Sequence, residues 1–169
     1  MVLYSKEGGG NTWSYSALAR AVFNNQLGVM RLLIQLGAKM DETREWYYLP
    51  SNGAAATGFV EGLKLLKEKG CNLSAKGSTG STPVLAAARN GHLSVLRYLV
   101  KSGCSLECVG IKKCTAAHYA AIYGHQNIIQ QLHDWGKPLD KDDEDGNTPA
   151  VHADSNGHSQ CADLIRRLV

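Results

Sequence analysis

Matching residues return every 33 positions along this chain, and that fixed period constrains its fold more than any local feature. Thr82-Pro83-Val84-Leu85-Ala86-Ala87-Ala88, Thr115-Ala116-Ala117-His118-Tyr119-Ala120-Ala121 and Thr148-Pro149-Ala150-Val151-His152-Ala153 begin at threonines 33 residues apart. The same step run backwards reaches Leu49-Pro50 and Ser16-Ala17, so units start near 16, 49, 82, 115 and 148. Four further ladders keep this register without a gap. They are Ala21, Ala54, Ala87, Ala120 and Ala153; Asn25, Gly58, Gly91, Gly124 and Gly157; Gly37, Gly70, Gly103 and Gly136; and Leu33, Leu66, Leu99, Leu132 and Ile165.

Each unit reads as helix, turn, helix and extended loop. A threonine hydroxyl caps the first helix, and Pro83 or Pro149 follows where a missing N–H is harmless. That helix is short and rich in alanine, so a neighbouring backbone can approach closely. Gly91 ends it in a left-handed conformation. The second helix, 93–102, carries Leu93, Val95, Leu96, Leu99 and Val100 as one apolar stripe and stops at Gly103. Turn formers such as 77–80 and 143–146 lie in the loops. One helix pair cannot bury both its faces, but a stack of pairs can.

Thr82-Pro83, Ala87-Ala88-Arg89-Asn90-Gly91-His92 and Tyr123-Gly124-His125 resemble the helix-turn-helix signature of ankyrin repeats. The resemblance covers residues 16–169 and implies an all-α solenoid of about five stacked units with β-hairpin-like loops; residues 1–15 form a leader and first loop. It also implies protein or peptide binding on a concave face lined by loop tips and first helices. The chain departs from the pattern in several places. The family's first-helix histidine is present only at His118, with Ala19, Asn52, Leu85 and Val151 elsewhere; Leu49 lacks a capping hydroxyl; and Tyr47 replaces a turn glycine. Asp154, Ser159, Gln160, Asp163, Arg166 and Arg167 suit a polar C-terminal cap, and Arg20, Asn24, Asn25 and Gln26 an N-terminal one, unless the chain is cut from a longer array.

Aromatic and basic residues stand out at the contact positions that the resemblance implies: Trp13, Tyr15 and Phe23 in unit one, Trp46 and Tyr48 in unit two, Arg89 in unit three, and Lys112, Tyr119 and Tyr123 in unit four. Tryptophan, tyrosine and arginine dominate binding hot spots. The rings could instead pack together to support an irregular loop and the N-terminal cap. Trp135 falls on the back of the array, over the turn at Gly136.

Other chemistry finds little support. Of six histidines, His92, His125 and His158 follow the glycine ladder, which marks them as structural; His118 is expected to be a hydrogen-bonding helix residue, and His133 and His152 stand isolated. Cys108, Cys114 and His118 lack the close cysteine pair of common zinc sites. Five scattered cysteines fit reduced thiols in a cytoplasmic or nuclear setting, with Cys71 and Cys104 as small buried groups; a Cys108–Cys114 disulfide is the alternative. The acidic run Asp140, Asp142 to Asp145 lacks calcium-loop spacing and reads as solvated. Gly8-Gly9-Gly10 has no phosphate-loop companions.

A net charge of +3 is too mild for a nucleic-acid track, and no apolar run reaches the ~18 residues of a membrane span. The expectation is therefore a monomeric interaction module with no catalytic residues, cofactor or metal. The alternative is a substrate-recruiting or scaffold fragment of a larger protein or enzyme.

Overall fold

The computed structural model describes residues 17–40, 49–77 and 80–169. Among these residues ten α-helices alternate as first and second members of five pairs: α1 (Ala17–Phe23) with α2 (Leu27–Gln35), α3 (Pro50–Ala56) with α4 (Val60–Glu68), α5 (Pro83–Arg89) with α6 (Leu93–Lys101), α7 (Ala116–Ile122) with α8 (Gln126–Asp134), and α9 (Pro149–Ser155) with α10 (Ser159–Leu168). No strand occurs among the described residues. Each first helix packs on the next, from α1 through α9, and this layer is tighter than the layer of second helices. The molecule is an all-α repeat solenoid.

The first helices start as their residues dictate. The hydroxyls of Thr82, Thr115 and Thr148 accept from the backbone N–H three residues on, at 3.3, 3.5 and 3.4 Å. Leu49 makes no such bond, so α3 relies on Pro50 at its first position and on burial. Ala54, Ala87, Ala120 and Ala153 are fully enclosed, and only so small a side chain lets successive first helices approach. Leu66, Leu99, Leu132 and Ile165 form the parallel ladder in the second layer, all but sealed from solvent. Truncating one to alanine would cost about 2–5 kcal/mol.

The loops close as one-bond hairpins at the repeat period. Gly77 N–H donates to Ser81 O at 2.8 Å, Gly110 to Cys114 at 2.9 Å and Asp143 to Asn147 at 3.0 Å. The last two hairpins are also linked, by Glu144 N–H to Lys112 O at 2.8 Å.

Histidines stitch neighbouring units. His92 Nε2 lies 3.0 Å from Ala56 O and His125 Nε2 lies 2.9 Å from Arg89 O, each reaching the end of the preceding first helix. Their rings cover the helix-ending glycines. A Cβ on Gly91 would stand 2.7 Å from His125 Nδ1, and one on Gly124 would stand 2.7 Å from His158 Nδ1. Gly91 has φ +73°, so backbone and space both demand glycine there. Asn25 holds the same left-handed position at φ +54°, and the aromatic that follows in the next unit is Phe59 rather than histidine.

His118 and Asn52 occupy equivalent positions and do equivalent work. His118 is fully buried; its Nδ1 accepts from Thr115 N–H at 3.1 Å, and its Nε2 meets Asn147 O at 3.0 Å. Asn52 Nδ2 donates to Ser81 O at 2.8 Å, the matching carbonyl one loop along.

Cys108 and Cys114 are free thiols, in line with the reduced reading and not with the alternative disulfide. Several expectations need correction. Cys71 is half-buried, and only Cys104 of that pair is buried. Helix α6 ends at Lys101, with Ser102 as its cap. The N-terminal unit is not uniformly polar: Val29 and Leu32 on α2 and its C-cap Leu36 are 43, 55 and 65% exposed. The later counterparts of Val29 (Val95, Ile128 and Cys161) are sealed, and Cys161 belongs to the last unit. The preceding unit is therefore what covers this position. At the other end Trp135 caps α8, half-buried against the core, and Arg166 pairs with Asp154 and Asp163.

Candidate functional site

Four of the aromatic candidates, Trp13, Tyr15, Trp46 and Tyr48, lie outside the described residues, as do Tyr47 and most of the first loop. The other candidates divide between surface and support. Phe23 ends α1 half-buried, its ring against α3, where a Cβ on Gly53 would meet Phe23 Cζ at 3.4 Å. Tyr119 is also half-buried, tucked behind the fourth hairpin, and a Cβ on Gly110 would stand 2.6 Å from its hydroxyl. Burial pushes the Tyr119 phenol above its ordinary pKa. Both rings therefore pack within the array while keeping part of their surface exposed.

Arg89 and Tyr123 do lie at the surface together. Arg89 ends α5 and Tyr123 caps α7, so the repeat brings these helix ends side by side. The guanidinium carbon lies 5.2 Å from the Tyr123 ring centroid, and Tyr123 is 42% exposed. The same ring stacks on His125, with centroids 6.4 Å apart and planes 18° apart. His125 in turn holds the Arg89 carbonyl. Cation, phenol and imidazole thus form a small built platform spanning units three and four. The glycine register gives His125 only a structural role; its second role follows from the neighbouring tyrosine, where the other units carry asparagine or threonine.

Lys112 stands at the tip of the fourth hairpin, exposed, its φ +53°. Its Nζ meets Asp145 Oδ2 of the next hairpin at 2.5 Å, and this hydrogen bond and charge hold the ammonium above its usual pKa. On the loops nearby, Lys137 and Lys141 both reach Glu107, at 2.8 and 3.4 Å, and hold its carboxyl below the ordinary range.

The acidic run is less solvated than expected. Asp143 is buried: its Oδ1 accepts from Asp145 N–H and Asn147 N–H, both at 2.9 Å, while Oδ2 lies 2.7 Å from His152 Nε2. These bonds, the backbone N–H of Asn147 foremost, depress its pKa to about 2. His152 is therefore not isolated. Cys114 Sγ is 4.0 Å from the same Oδ2. Burial, then the charge of Asp143, raises the thiol's pKa. A thiol facing a carboxylate, with that carboxylate also engaging the imidazole nitrogen, is the reverse of an activated cysteine nucleophile.

No described helix is long and apolar enough to cross a membrane. No curated protein matches the chain. A family model described as ankyrin repeats (3 copies) matches residues 18–110, 52–141 and 103–168, which together span nearly the whole array. The period, the helix pairs and this match agree, and the chain belongs to the ankyrin repeat family.

Proposed function

We propose that this chain is a protein-interaction module that holds a protein or peptide partner along the surface formed by its hairpin tips and first-helix ends. Ankyrin repeats generally mediate protein–protein contacts, and the family is typically non-enzymatic. The Arg89–Tyr123–His125 platform is the observation that carries the reading to this surface. An exposed tyrosine braced by a cation and an imidazole is rigid before a partner arrives, so little ordering entropy is lost on binding. In this reading the concave face is the one lined by the first helices, which pack more closely on one another than the second helices do. Lys112 extends the surface at the hairpin tips. The chain acts as a monomer in this reading and engages neither nucleic acid nor a metabolite.

The test is affinity capture from a cell extract with wild-type chain beside a Tyr123→Ala, Arg89→Ala variant and a back-face Trp135→Ala variant. The proposal expects proteins retained by wild type and by Trp135→Ala to be lost from the double variant. Equal retention by all three would move binding off this surface.

A further inference from the structure

Beyond partner binding, we propose that Cys114, Asp143 and His152 form a binding site for a divalent transition ion of the Zn²⁺ class at the boundary between units four and five. Their ligand atoms, one sulfur, one carboxylate oxygen and one ring nitrogen, all lie within 4.8 Å of one another. They come from three places in the chain: the end of the fourth hairpin, the start of the fifth, and helix α9. The stacking of two units is what gathers them.

Three features favour ligation over a plain ion pair. The first is the division of labour within Asp143, whose Oδ1 is held by two backbone N–H groups while Oδ2 is turned toward both other donors. The carboxylate is thus oriented by the hairpin itself, as outer contacts orient metal ligands. The second is enclosure: Cys114 and Asp143 are each 7% exposed, whereas the His152 side chain keeps 21% exposure and leaves an approach from solvent. The third is donor chemistry. Sulfur with imidazole and a single carboxylate suits Zn²⁺ or Co²⁺, and is unlike the all-oxygen sets of Ca²⁺ and Mg²⁺. Tetrahedral bonds of about 2.0–2.3 Å place ligand atoms roughly 3.3–3.8 Å apart, so side-chain shifts of about 1 Å accommodate an ion.

His118 sits edge-on to His152 with centroids 5.6 Å apart, but Thr115 and Asn147 engage both its nitrogens. It supports the site and does not ligate, and solvent supplies the fourth position. On binding, the Cys114 thiol gives its proton to solvent, and His152 ligates through Nε2 as the neutral tautomer whose single proton is on Nδ1. The ion then clamps the fourth hairpin to the fifth unit.

Co²⁺ titration of the reduced, chelator-treated chain, followed by Zn²⁺ competition, tests this. Expected are a thiolate-to-Co²⁺ charge-transfer band saturating at one equivalent and its loss on adding Zn²⁺. The band should persist in Cys108→Ser and vanish in Cys114→Ser, and His152→Ala should weaken binding by at least about tenfold. Circular dichroism of each metal-free variant checks its fold; if Cys114→Ser loses helix, the His152→Ala titration decides. Absence of the band from folded wild type, its survival in folded Cys114→Ser, or wild-type affinity in folded His152→Ala would each overturn the assignment.

Discussion

Replacing Gly91 by alanine tests the idea that the glycine ladder serves the neighbouring unit as much as its own helix. Two costs are expected. At φ +73° a Cβ brings strain of about 1–2 kcal/mol. The same Cβ would sit 2.7 Å from His125 Nδ1, so the ring must swing away from Arg89 O, forfeiting a hydrogen bond of about 0.5–1.5 kcal/mol and some packing. The sum is about 2–4 kcal/mol. Gly103 supplies the control within the same unit: its φ is +93°, but a Cβ there meets nothing within 4 Å, so Gly103→Ala should cost only the first part. Urea unfolding followed by circular dichroism measures both. A Gly91→Ala, His125→Ala double variant should lose less than the sum of its single variants, because the clash needs both side chains. Equal losses for Gly91→Ala and Gly103→Ala, or strict additivity in the cycle, would refute the stitching role.

Other outcomes follow from the same geometry. His118→Ala should cost about 2–4 kcal/mol through a lost cap and an orphaned Asn147 carbonyl, and His118→Asn should recover part of it as Asn52 does for Ser81; thermal melts of the two variants measure this. The Asp143 carboxyl is more acidic folded, at about 2, than its ordinary 3.8, so the stability it lends is complete above about pH 4 and disappears as pH falls toward 2. Acid titrations with chelator present should show a shallower loss across that window in Asp143→Asn. Tyr123→Ala should shift the melting temperature little, since an exposed cation–π contact is worth about 0.5–1 kcal/mol, while weakening partner binding by about 2 kcal/mol or more in calorimetry.

Much of this fold is legible along the chain because translation by one unit preserves chemical environment. The alanine ladder is enclosed in every unit for one reason, close approach of first helices, so a period of 33 reports it directly. Threonine caps and left-handed glycines are equally readable, since their partners lie within a few residues. That Arg89 and Tyr123 end their first helices is equally legible, since both fall at the end of that helix in the repeat register. What tertiary structure decided are contacts that leave the register. Cys114 to Asp143 spans 29 residues and Asp143 to His152 spans 9, so neither follows the period and each residue looks solitary in the sequence. Tyr119 carries the same chemistry as Tyr123, yet one ring is spent against Gly110 and the other is left for solvent. Asn52 looks like a lost histidine until its amide is seen on the equivalent carbonyl, that of Ser81. Periodicity determines which units stack; which side chains meet across the boundary depends on three-dimensional proximity, where non-equivalent positions touch.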